Sequence, residues 1–125
     1  MLNFRRARGA VLLVLSFLAG AAMARQQATT QRTPYFENEQ VKVWKTTVLP
    51  DQSLSMHRHE NGRVIVALHG GKLNVVHQAG GTETYDWESG KAYWLDADPP
   101  NQLHADVNPG RDPIEVVVIE LKHPK

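Results

Sequence analysis

Met56-His57-Arg58-His59-Glu60-Asn61-Gly62-Arg63 places two histidines two positions apart in a segment of strand character, immediately before an Asn-Gly turn signal. Side chains alternate faces along a strand, so His57 and His59 point to the same side. If that side is the inside of a barrel, two imidazoles converge there, and imidazole is the commonest protein ligand for first-row transition metals. Two histidines on a strand are often no more than surface polar residues, so a distant third must give the pair its meaning. His104 is the candidate.

On both sides of this stretch, short β-like segments alternate with turn signals. They run Val41 to Leu49, Ser53 to His59, Arg63 to His69, Leu73 to His77, Thr82 to Trp87, Ala92 to Leu95, Leu103 to Val107 and Ile114 to Leu121. Pro50-Asp51, Asn61-Gly62, Gly70-Gly71, Gly80-Gly81, Gly90, Asp98-Pro99-Pro100 and Asn108-Pro109-Gly110 separate them. A spacing of roughly 8–12 residues with Gly and Pro between segments predicts an all-β domain, an antiparallel sandwich or small barrel. Val64-Ile65-Val66-Ala67-Leu68 and Val116-Val117-Val118-Ile119 are apolar on both strand faces, which marks them as central strands. From Tyr35 onward no segment combines helical apolar spacing with length, so no helix longer than a turn or two is expected.

The chain begins differently. Arg5, Arg6 and Arg8 precede an apolar run from Ala10 to Ala19 and an Ala22-Met23-Ala24 cleavage pattern, which together predict a signal peptide over residues 1–24. The apolar run is shorter than the roughly 18 residues a membrane span needs. Export to the periplasm or the medium follows, with no membrane attachment after cleavage. Residues 25–34 are polar and Gln/Thr-rich and read as a flexible leader. Residues 35–125 are then the barrel domain, large enough for one core and not for two.

The formal charge is +1, from 14 basic and 13 acidic residues, and three of the basic ones lie in the predicted signal peptide. The exported chain is therefore slightly acidic. Neither a basic stripe nor an acidic tail remains, which argues against nucleic acid as a partner and for small molecules. There is no cysteine, so a metal site would have to use nitrogen and oxygen donors.

At these residues the chain resembles the cupins. Their first motif runs Gly, five residues, His-x-His, three or four residues, Glu, six residues, Gly. His57, His59 and Gly70 fall in that register, while Asp51 stands at the opening Gly and Arg63 at the Glu. The second motif, ending in His-x3-Asn, is similar to Gly90 followed by His104-Ala105-Asp106-Val107-Asn108, with Gly90 three residues further from the histidine than the family spacing. The resemblance covers roughly Val41 to Leu121. It implies a jelly-roll barrel, a double-stranded β-helix, with His57, His59 and His104 as ligands of a divalent transition metal such as zinc, iron, manganese, nickel or copper. The fourth ligand of the family, a glutamate, is replaced by Arg63.

An arginine cannot ligate, and facing inward it would repel a divalent ion. Two arrangements are open. In a tight two-residue hairpin at Asn61-Gly62, Arg63 would face outward opposite Glu60; with a bulge it would project inward and suit a substrate carboxylate. A guanidinium inside the cavity favours ligand binding, and one outside leaves the histidines free for metal. Asp106 shares the face of His104 and either replaces the missing glutamate or orients an imidazole, or it is a solvent-facing residue at the outer end of its strand, the reading its polar position favours. His69, His77 and His123 read as exposed, and Asn108 as structural.

Two functions are open. One is a metal-dependent enzyme, an oxygenase or other oxidoreductase, or an isomerase or lyase, acting on a small organic substrate, a class implied by the resemblance alone. The other is a non-catalytic periplasmic barrel that binds a small molecule without metal. The edge strands and aromatics of so small a barrel make a homodimer a natural partner state in either case.

Overall fold

The computed structural model describes residues 29–123. The expected signal peptide and residues 25–28 of the leader lie outside the described residues. Eight strands follow one another: β1 (Gln31–Glu37), β2 (Val41–Val48), β3 (Arg63–His69), β4 (Gly71–His77), β5 (Thr82–Trp87), β6 (Ala92–Leu95), β7 (His104–Val107) and β8 (Ile114–Leu121). They form a five-stranded sheet in the order β1-β2-β8-β3-β6 and a three-stranded sheet in the order β5-β4-β7, with antiparallel pairing throughout. There is no helix among the described residues.

The period of two along each strand decides what lies between the sheets. On β3, Arg63, Ile65 and Ala67 are buried and their neighbours less so; on β8 the buried set is Ile114, Val116 and Val118. Trp44 and Val48 of β2 join them, and Leu73 and Trp87 close the core from the other sheet. As the apolar runs predict, β8 is the central strand of the larger sheet and β3 its neighbour. Gly70, between β3 and β4, is required by close approach: a Cβ there would lie 2.0 Å from the carbonyl oxygen of Trp87.

Two sequence expectations need correction. Gln31 to Pro34, assigned to the flexible leader, pair with Thr47 to Trp44 and form the outer strand of the larger sheet. Their polar composition suits an edge strand that contributes backbone hydrogen bonds and little apolar area. The second correction concerns Ser53 to His59, which is not a continuous strand. It touches β7 only through isolated bridges, Ser53 with Val107 and His57 with His104. Four steps along this segment match three along β7, so one extra residue interrupts the ladder as in a β-bulge.

Candidate metal centre

That interruption shapes the site. His57 and His104 exchange backbone hydrogen bonds of 2.8 Å in both directions, which sets the two residues directly opposite each other. His59 lies two residues on, and the rings of His57, His59 and His104 gather with centroids 4.5–5.7 Å apart. One ring nitrogen from each comes within 4.8 Å of the others. His59 and His104 are buried, and His57 is half-buried.

Each ring is oriented from outside the cluster. His57 Nδ1 donates to the Ser55 carbonyl at 2.7 Å, an oxygen the broken ladder leaves free. His59 Nδ1 donates to Glu120 Oε2 at 3.3 Å, and His104 Nδ1 faces Asp98 Oδ2 at 3.5 Å. Carbonyl and carboxylate oxygens accept, so in neutral His57 and His59 Nδ1 carries the proton and Nε2 presents a lone pair, while His104 has a carboxylate facing each ring nitrogen. His57 Nε2 is buried with no hydrogen-bond partner. A buried polar atom without a partner is costly, and this one belongs to a group of imidazoles that could hold a metal ion. Three imidazoles and no thiolate suit zinc, iron, manganese, nickel or copper.

Arg63 faces inward, for a reason neither turn geometry anticipates. Asn61-Gly62 is not a hairpin: the segment before it runs beside β7, whereas β3 pairs with β8 and β6 in the other sheet. Glu60 accordingly pairs with Arg58 at 3.1 Å, and Arg63 with Ile65 and Ala67 lines the interior. Its Nη1 donates to the Asp96 carbonyl at 3.0 Å and its Nη2 stands 3.6 Å from Asp98 Oδ1. Asp98 also accepts the His59 N–H at 2.6 Å, so one carboxylate links the arginine to two of the histidines.

Asp106 lies on the same face as His104, as its position two residues on predicts. Its Oδ2 is 3.5 Å from His57 Nε2 and its Oδ1 3.7 Å from His104 Nε2. His77 is not merely an exposed strand end. It is half-buried, its ring centroid is 6.2 Å from that of His104, and it lines the same cavity. His69 and His123 are exposed, and Asn108 is structural: it is buried, and its side-chain nitrogen donates to the carbonyls of Val48 and Asp112.

No family model matches the sequence, and neither does any curated protein. Solved structures do match. A cupin domain from Bordetella pertussis Tohama I is 27% identical over 74% of this chain and 93% of its own, with a TM-score of 0.66. The chain has the fold of the cupin superfamily. An RmlC-like cupin family protein with a double-stranded β-helix fold from Methanocaldococcus jannaschii shares that fold at 15% identity, covering 80% of this chain and 86% of its own, with a TM-score of 0.60. A double-stranded β-helix protein from Klebsiella pneumoniae matches 76% of this chain and 79% of its own at 20% identity, with a TM-score of 0.55.

The interior of the cupin barrel holds a cavity of about 410 Å³. Its charged lining is Arg32 and Arg63 against Glu83, Asp96, Asp98 and Asp106, so carboxylates outnumber guanidiniums by two when the histidines are neutral. Neutral is what burial favours. It pushes the pKa of His59 down to about 2, with Arg63, His57, Arg32 and His104 adding repulsion. Burial also lowers the pKa of His104, partly opposed by the Asp106 carboxylate.

In the metal-free chain this ties stability to pH. Below the ordinary imidazole pKa of 6.5 the unfolded chain takes up a proton on His59 that the folded chain refuses. Stability is therefore full above that pH and falls as the solution is acidified, by up to about 1.4 kcal/mol per pH unit from this ring. Thermal melts of the metal-free chain between neutral and mildly acidic pH are expected to show a falling Tm, and His59→Gln a flatter profile. A pH-independent Tm in the unmodified chain would contradict the burial of a neutral His59.

Proposed function

We propose that this chain is an exported metal-binding cupin in which His57, His59 and His104 hold one divalent transition metal beside a cavity that admits a small organic molecule. The single observation that carries the proposal is the arrangement of the rings, with Nδ1 of His57 and His59 hydrogen-bonded from outside and His57 Nε2 buried without a hydrogen-bond partner. The excess of carboxylates in the cavity supports it, since a divalent cation would balance them. Export rests on the signal-peptide pattern, and self-association on the exposed Tyr35 and Phe36 of edge strand β1.

A bound ion of this type supplies Lewis acidity, a lowered pKa for water and, if redox-active, electron exchange with dioxygen. The chain's own groups provide the rest. Ser55 and Glu120 fix the tautomers of His57 and His59, and Asp98 keeps the Arg63 charge engaged. The apolar cavity wall, with Trp87 and Tyr85 stacked at 5.1 Å, limits water around a substrate.

The reaction we propose is oxidation of a small enolic or aromatic substrate. An oxygen-consumption assay on the iron(II)-loaded chain with a panel of such compounds tests it. Uptake that depends on one compound and disappears in His104→Ala is the expected result; no uptake with any compound or metal would overturn the catalytic assignment. A second reading, a barrel that holds a small molecule without turnover, is favoured by the inward guanidinium of Arg63, which binds a carboxylate bidentately. Native mass spectrometry detecting a retained organic acid in metal-free protein would support that reading instead.

A further inference from the structure

We infer that Asp106 is a fourth metal ligand, completing a three-histidine, one-carboxylate site with His57, His59 and His104. The inference rests on the metal-binding reading and adds a residue to it. His57 Nδ1 donates a hydrogen bond to a carbonyl, so in the neutral ring Nε2 is an acceptor, and it faces a second acceptor, Asp106 Oδ2, at 3.5 Å. Neutral His104 stands between two carboxylates, Asp98 3.5 Å from Nδ1 and Asp106 Oδ1 3.7 Å from Nε2, so one of its nitrogens turns a lone pair toward a carboxylate. Lone pairs directed at a carboxylate repel unless something positive lies between them. Among the described residues no hydrogen bond reaches the Asp106 carboxylate, so no donor among them relieves this opposition.

Water does not fit the gap. A bridging water about 2.8 Å from each of two acceptors would hold them roughly 4.5 Å apart. A metal ion does fit. Donor atoms about 2.1 Å from one ion, at tetrahedral or octahedral angles, stand roughly 3.0–3.4 Å from each other. The two observed separations, 3.5 and 3.7 Å, lie within a few tenths of an ångström of that range. The backbone already fixes the three residues. His104 and Asp106 share one face of β7, and the paired hydrogen bonds of His57 with His104 lock the third opposite them.

Cobalt(II) is the probe, because a thiolate bound to it gives a charge-transfer band in the near ultraviolet and the chain has no cysteine to interfere. In Asp106→Cys the band is expected to appear as cobalt is added, and in Asp106→Asn cobalt affinity is expected to fall at least tenfold. An acceptor that only orients an imidazole also weakens binding when removed, by roughly 10–100-fold, but cannot produce the band. Cobalt bound to Asp106→Cys without the band would overturn the inference, as would unchanged affinity in Asp106→Asn. The two failures are distinguishable: if the unsubstituted chain takes up no cobalt, the metal reading itself falls and this inference with it.

Discussion

Alanine at His104 is expected to abolish stoichiometric metal binding while the chain stays folded. His104 presents Nε2 to the cluster and is the residue that binds the far strand to His57. Its hydrogen bonds to His57 run through the backbone, 2.8 Å each way, and survive truncation of the side chain. The imidazole borders a cavity that is already open, so its removal leaves little new void, and the stability cost is expected to be about 1–2 kcal/mol. His57→Ala should behave alike. His123→Ala, at an exposed position, is the control expected to change nothing. Metal content and thermal unfolding measured side by side check this. Equal loss of metal in all three variants would remove the assignment, since it would trace the metal to nonspecific imidazole binding.

The second large effect is expected at Arg63. Arg63→Glu should tighten metal binding tenfold or more and, in the same protein, lower the stability of the metal-free state. The guanidinium is buried, bonded to the Asp96 carbonyl and 3.6 Å from Asp98. Exchanging it for a carboxylate leaves Asp98 without its cation and puts a second anion beside it; removing one partner of a buried pair costs about 3–5 kcal/mol. A bound divalent ion relieves that repulsion, so metal should raise the Tm of the variant by more than it raises the Tm of the parent. Arg63→Met, which keeps volume and removes charge, should fall between them in affinity. Competition against a chelator and paired melts with and without metal provide the readout. Unchanged or weaker binding in Arg63→Glu would mean that the arginine's charge does not act on the metal position.

The fate of Arg63 shows where local sequence stops informing. The pattern around Asn61-Gly62 has the form of a hairpin, yet its flanking segments belong to different sheets, and strand pairing across the chain is not a local property. Arg63, Ile65 and Ala67 at a period of two did carry the correct face, and the same period continues from Ile114 through Val118 to Glu120, which reaches His59. Asp98 offered no such signal. It lies in a loop between β6 and β7, and only the fold shows that this loop grips His59 through both backbone and side chain. Gln31 to Pro34 had none either, because an edge strand needs backbone partners more than apolar period. By contrast, the β-branched runs of β3 and β8 placed the core, and His57, His59 and His104, named from the sequence, are brought together by the fold. Strand alternation accounts for His104 and Asp106 sharing a face of β7, whereas His57 and His59 lie on a segment that only bridges β7, so their place beside His104 comes from the fold.

The most direct test is the metal-to-protein ratio of untagged chain, purified from an exporting host without chelator, beside a His57→Ala, His104→Ala double variant. About one equivalent of a transition metal in the parent and none in the variant is the expected result. A parent chain that is metal-free and also refuses added zinc, iron, copper, nickel and manganese would contradict it, and would leave Arg63 and the cavity as the binding site of an organic acid.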